Sequence, residues 1–100
     1  PVQVKVIPVS EPFHDYAAEV RDLLRGKGLR AEVDDRNEKV GYKIRDGEMR
    51  KIPYLLVVGR REVDQQTVSV RRRGTGDQGA VKVADFIEKV ALESQERVLD

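Results

Sequence analysis

Two kinds of polar side chain gather in the middle third of this chain, and together they suit contact with a nucleic acid. Arg36, Lys39, Lys43, Arg60, Arg61 and the run Arg71 to Arg73 are cations able to track phosphates. Asn37, Glu62 and one arginine hold donors and acceptors in fixed geometry, suited to paired hydrogen bonds with an unstacked base edge. Phosphate contacts set position, and only the directional set carries sequence information. Each residue also has a plainer use. Asn37 can cap the helix next to it, Glu62 can be a solvated turn acid or an ion-pair partner, and the arginines can blunt a strand end.

Other chemistry finds little support. His14 stands beside Asp15, and a single surface histidine next to an acid lacks the nucleophile and orienting group of a catalytic site. Asp34 and Asp35 could ligate magnesium, yet a pair of acids at a strand end without further ligands reads as a solvated turn. Gly74, Gly76 and Gly79 have neither the spacing nor the strand-to-helix placement of a dinucleotide fingerprint, and no phosphate-loop lysine accompanies them. The chain has no cysteine, which excludes disulfides and thiolate zinc sites, and one histidine cannot build a multi-histidine metal centre.

At 100 residues there is room for one domain with a single small core. No apolar run approaches the ~20 residues that span a bilayer, so a soluble protein in a cytosolic setting is expected. The net charge of +1 hides a strong asymmetry. Residues 1–35 carry 5 basic and 7 acidic groups, residues 36–73 carry 11 and 5, and residues 74–100 carry 3 and 6. A basic middle between acidic ends implies a local anion-binding surface rather than a generally basic protein. The chain opens at Pro1 without a methionine or a signal-like segment, which is expected of an excised domain or processed product.

Periodicity predicts the elements that must position these side chains. Val2, Val4 and Val6 alternate with polar residues up to Pro8, the pattern of a first strand. Ser10 can cap the first helix. Phe13, Tyr16, Ala17, Val20, Leu23 and Leu24 recur at helical spacing until Gly26 and Gly28 end that helix. Leu29, Ala31 and Val33 alternate as a second strand, parallel to the first because a helix joins them. A basic amphipathic helix is predicted from about Glu38 to Lys51, stopped by Pro53, which turns the chain into the apolar strand Tyr54 to Val58. Gly59 to Glu62 reads as a turn. Thr67 to Val70 alternates as a fourth strand, antiparallel to the third because the connection is too short for a crossover. Gly74, Gly76, Gly79 and Asp77 mark a turn, Ala80 and Val81 a short last strand, and Val83, Phe86, Ile87, Val90 and Ala91 a closing helix. Beyond about Ser94 the tail is expected to fray.

The stretch RNEKVGYKIRDGEMRKIPYLLVVG, with REV and TVSVRRRG after it, resembles the C-terminal anticodon-binding domain of threonyl-tRNA synthetase. The likeness includes the opening PVQVKVIPV, the second strand in LRAEVDDR and the closing GAVKVADFIEKV, so it covers essentially residues 1–100 as one anticodon-binding domain. The related class II synthetases for proline, histidine and glycine share the fold, but RNEKVGYKIR with KIPYLLVVG is most similar to the threonyl enzyme. The resemblance implies an α/β fold with a five-stranded mixed sheet and three helices, ordered strand, helix, strand, helix, three strands, helix.

It further implies recognition of the anticodon loop of threonine tRNA, with two bases splayed onto the sheet edge. The anticodon-reading asparagine falls on Asn37 in RNEK, the glutamate on Glu62 in REV and the arginine on Arg71 in SVR, while Lys39 and Arg45 are weaker candidates for backbone contacts. These three reading residues are expected to converge at one end of the sheet. The family's aminoacylation, zinc and editing residues lie in other domains, so this segment of a tRNA ligase of protein biosynthesis is expected to be non-catalytic. It is likewise expected to need no cofactor and not to bind ATP, threonine or zinc. Its implied partners are threonine tRNA and the remaining synthetase domains, with a homodimer for the full enzyme and no membrane. Arg60 and Arg61 replace a more acidic turn of many relatives, and RRRGTGDQG is more basic than usual, which puts loop contacts in doubt. A protein-interaction or accessory-subunit module of the same fold is the alternative. A flavodoxin-like enzyme or receiver would need a metal pocket or cofactor cradle that these residues do not supply.

Overall fold

A computed structural model describes residues 1–96. The chain runs β1 (Val4–Pro8), a single 3-10 turn (Glu11–Phe13), α1 (His14–Gly26), β2 (Ala31–Val33), α2 (Val40–Met49) and β3 (Tyr54–Val58). It continues through α3 (Arg60–Gln65), β4 (Thr67–Arg72), β5 (Gly76–Lys82) and α4 (Val83–Gln95). The sheet order is β2-β1-β3-β4-β5. β1 pairs in parallel with β2 and β3, whereas β4 and β5 join as antiparallel neighbours. This is the expected five-stranded mixed sheet, with three longer helices and one short extra helix.

Alternation along the strands sorts their side chains between two unequal faces. Val4, Val6, Tyr54, Leu56, Val58, Val68 and Val70 face α1 and α4, whose Tyr16, Ala17, Val20, Leu24, Phe86, Ile87 and Val90 complete the main core. Tyr54 meets Phe86 edge to face with ring centroids 5.2 Å apart, a favoured aromatic geometry. On the opposite face Ile7 and Leu55 pack with Ile52, and Val40 and Ile44 of α2 lie over them. Gly47 lets α2 approach closely: a Cβ built there would stand 2.6 Å from Leu55 Cδ2.

Three elements differ from the sequence expectation. The second helix is shorter than Glu38 to Lys51: Lys39 is still extended, with φ −68° and ψ 147°, as the N-cap, and at the other end Lys51 takes a left-handed φ of 61° ahead of Pro53. The turn expected at Gly59 to Glu62 is the start of α3, which six residues and one packed apolar side chain, Val63, are too few to reveal by periodicity. The last strand spans seven residues rather than two, with Gly76 and Gly79 at φ of 82° and 81° and a register shift between Val70 and Arg71. α4 continues through Gln95, and residues 97–100 of the tail expected to fray lie outside the described residues.

Candidate nucleic-acid interface

Parallel β1, β2 and β3 end at the same edge of the sheet, so the segments that leave β2 and β3 meet there. The loop after β2 carries Asn37, and the first turn of α3 after β3 carries Glu62. This carboxyl edge is where α/β sheets ordinarily present polar groups to a ligand.

Asn37 is exposed, and its side chain has no hydrogen bond among the described residues. It does not cap α2, whose N-cap is Lys39, without a side-chain capping bond. Its loop is nevertheless tightly held. The Asp34 backbone N–H donates to the Val6 carbonyl at 2.8 Å, and the Arg36 N–H donates back to Asp34 Oδ1 at 3.3 Å. The Arg36 guanidinium clasps Asp34 with Nε at 2.9 Å and Nη2 at 2.7 Å, and Nη2 also reaches Asp46 at 3.0 Å. Arg50 joins from the end of α2, 3.0 Å from the same Asp46 oxygen.

The charges respond to this network. The Arg36 hydrogen bonds hold the Asp34 carboxyl below its ordinary value, against the opposing effect of burial. Burial pushes Asp46 up, but bonds from Arg36 and Arg50 outweigh it and leave it lowered. The bond to Asp34, then the bond to Asp46, raises Arg36.

Two of the expected phosphate contacts have protein partners, and one of them, Lys43, is thereby corrected. Arg36 commits Nε and Nη2 to Asp34 and Asp46, while its side chain stays 43% exposed. Lys43 is buried, only 3% exposed, and donates to the carbonyls of Asp34 at 3.0 Å and Pro8 at 3.5 Å. It is a strut beneath the loop, its charge hydrogen-bonded as a buried charge must be. Asp34 is also removed as a magnesium ligand, since Arg36 occupies both of its carboxylate oxygens. Sequence reading missed the role of Asp34. The signal present was an aspartate two residues before an arginine, the spacing of an Asx turn.

Glu62 occupies the third position of α3 and folds back, accepting the Gly59 N–H through Oε1 at 2.7 Å. This capping bond satisfies one of the orphan donors of the helix start. It was not among the uses expected for Glu62, and it leaves Oε2 for another donor.

Arg71 stands elsewhere. Its register partner on β3 is Leu55, three residues short of Val58, so it lies roughly 10 Å back from the carboxyl edge. Asn37 and Glu62 thus sit on segments at the carboxyl edge, and the backbone of Arg71 lies back from it along the face that carries α2. There Arg71 Nη2 is 3.9 Å from Glu48 Oε2, and Arg71 Nε is buried without a hydrogen-bond partner.

Between edge and arginine lies open sheet. The apolar contacts of α2 extend to Leu55 and Val57 of β3 and stop. Beyond them Ser69 pairs with Val57 on one side and Ala80 on the other, and alternation with buried Val68 and Val70 turns Ser69 toward the α2 face. Ser69 is half-buried and Ala80 exposed, which leaves a shallow platform of small side chains with Arg71 two residues along β4.

The remaining cations divide by surroundings. Arg60 lies over the Phe13 ring at 5.1 Å and Arg72 over Tyr54 at 5.7 Å, on the α1 and α4 side. Lys39 at the start of α2, Arg45 within it, Arg61 and Arg73 are exposed, and among the described residues their side chains have no ion pair or hydrogen bond.

Comparison with known proteins gives a consistent picture. A family model described as "Anticodon binding domain" matches residues 3–93. The chain is 50% identical over 99 residues to the threonine–tRNA ligase of Desulforamulus reducens, covering 99% of this chain and 16% of that protein. It is 52% identical over 97 residues to the corresponding ligase of Carboxydothermus hydrogenoformans, covering 97% and 15%. The chain thus spans about a sixth of the length of these relatives. Among solved structures, the RNA-binding domain of threonyl-tRNA synthetase from Cryptosporidium parvum superposes with a TM-score of 0.85 at 26% identity, over 92% of this chain and 23% of that one. Prolyl-tRNA synthetase from the same organism gives 0.83 at 28% identity, over 99% and 22%.

Proposed function

Because this chain belongs to the anticodon-binding domain family, we propose that it reads the anticodon loop of threonine tRNA as the recognition domain of a threonyl-tRNA synthetase. The observation that carries the proposal is the family match across residues 3–93, joined to identities near 50% with threonine–tRNA ligases. The open platform on the α2 face supports it, because splayed bases need a shallow polar surface with directional groups at its margin.

In this reading Asn37 and Glu62 hydrogen-bond base edges at the rim of the sheet, and Arg71 reaches a neighbouring base or its phosphate from the platform. Lys39 and Arg45 contact the RNA backbone. An asparagine offers a paired donor and acceptor, a carboxylate accepts from a base amino group, and an arginine donates in a fixed fork. Each paired base contact contributes about 1–3 kcal/mol of discrimination. Adenylation and aminoacyl transfer belong to other domains of the enzyme, which works as a homodimer in the cytoplasm.

The test is a titration with anticodon stem-loops. This chain should prefer the threonine anticodon over a scrambled loop on the same stem, and Asn37→Ala should erase much of that preference. Equal affinity of the unaltered chain for both loops would refute the reading. Binding should weaken with salt at a logarithmic slope near −0.7 per phosphate contacted, whereas an interaction module for protein partners would show a flat response.

A further inference from the structure

We infer that Arg36, held by Asp34 and Asp46, is a positioning residue that presets the Asn37 loop for base recognition, rather than a phosphate contact. The inference rests on the anticodon reading above and assigns a specificity role to residues that touch no base.

A side chain that reads a base from a flexible loop must give up its conformational freedom on binding, and that loss subtracts directly from affinity. A loop already held in its bound shape avoids it. The flanks of Asn37 are held in this way. On one side the Arg36 fork closes on both oxygens of Asp34, whose side chain is only 5% exposed. On the other, the Glu38 N–H donates to the Arg36 carbonyl at 2.9 Å and reverses the chain around Asn37. From below, Lys43 Nζ holds the Asp34 carbonyl at 3.0 Å. Asn37 itself is left exposed and unbonded among the described residues. A loop fixed on either side of a free amide has the form of a presented reading group.

Asp46 extends the restraint. It joins Arg36 at 3.0 Å to Arg50 at 3.0 Å, tying the loop to the second half of α2. α2 is in turn fixed on β3 through Gly47 and Leu55. The position of Asn37 is thereby referred to the same sheet that carries Arg71, so two reading groups remote in sequence keep a constant spacing.

A phosphate contact and a positioning residue respond differently to Arg36→Lys. The variant keeps the positive charge but cannot form the planar fork to Asp34. If Arg36 positions Asn37, Arg36→Lys should lower the preference for the threonine anticodon about tenfold, close to the loss in Asn37→Ala, while the salt slope stays unchanged. The double variant Arg36→Lys/Asn37→Ala should be no less selective than Asn37→Ala alone, because both changes remove one function. Hydrogen exchange at the Glu38 amide, measured without RNA, should quicken in Arg36→Lys and also in Asp46→Asn, which leaves the loop sequence intact.

Full selectivity in Arg36→Lys would overturn the inference. So would an Arg36→Ala variant that weakens both loops equally and reduces the salt slope by about 0.7, the mark of a lost phosphate contact. Should Asn37→Ala leave selectivity untouched, Asn37 is not a reading group and the inference falls with it, whereas equal affinity of the unaltered chain for both loops would sink the anticodon reading itself. The exchange rate at Glu38 would still decide whether Arg36 holds the loop.

Discussion

Arg71 of β4 and Glu48 of α2 face one another at 3.9 Å across the margin of the open platform, an ion pair too long to be a hydrogen bond. If RNA binds as proposed, Glu48 is the acid that competes with it for this arginine. Exposed pairs of this kind contribute about 0–1 kcal/mol, so Glu48→Gln should tighten stem-loop binding by up to about fivefold. Arg71→Ala should weaken it. If Arg71 reads a base, the loss will be larger for the threonine anticodon than for a scrambled loop. Anisotropy titrations at fixed salt measure both, and weaker binding by Glu48→Gln would show that Glu48 aids recognition instead of competing with it.

Glu62 does two things that substitution can separate. Its Oε1 accepts the Gly59 N–H at 2.7 Å, and a glutamine can keep that bond while losing the carboxylate as a base acceptor. Glu62→Gln is expected to melt within a few degrees of the unaltered chain yet to lose anticodon preference. Glu62→Ala should also cost about 1 kcal/mol of stability through the missing cap. Urea unfolding beside RNA titration checks both, and an unselective Glu62→Ala with a fully selective Glu62→Gln would limit Glu62 to capping.

Lys43 offers a test of burial against charge. Removing its ammonium in Lys43→Met strips the Asp34 carbonyl of its donor and should destabilise the domain by about 1–3 kcal/mol. Because the amine is buried, the salt slope of RNA binding should not change. A slope reduced by one phosphate with undiminished stability would mean that Lys43 reaches the RNA after all.

Acid should loosen the Asn37 loop. The Asp34 carboxyl is held below its ordinary value of 3.8, chiefly by the hydrogen bonds from Arg36, so the folded state binds this proton less tightly than the unfolded chain. The stability it contributes is therefore present above pH 3.8 and is lost as pH falls through the lower folded value. Thermal melts between about pH 2 and 5 should fall more steeply for the unaltered chain than for Asp34→Asn, which has no proton to gain. Parallel curves would remove Asp34 as a source of the acid sensitivity.

The first four strands and the long helices were legible from sequence because their signals are local. Val4 and Val6 alternate, Tyr16, Val20 and Leu24 recur every four residues, and Pro53 stops a helix wherever it sits. The parallel pairing of β1 with β2 was legible too, since a helix between two strands forces a crossover. The motif around Asn37 pointed to a family, and the family match over residues 3–93 agrees with it. Tertiary structure alone decided which charges are free. Lys39, Lys43 and Arg36 look alike along the chain, but the partners that bury Lys43 are carbonyls 9 and 35 residues away, and the acid that completes the Arg36 network lies 10 residues on. The distance of Arg71 from the sheet edge was set in the same way, by its pairing with Leu55 rather than by anything in SVRRR. Local periodicity specifies which side of an element is apolar. Only the packing of distant segments determines whether a charged side chain on the other side meets water, a carboxylate or a carbonyl, and so whether it remains available to a ligand.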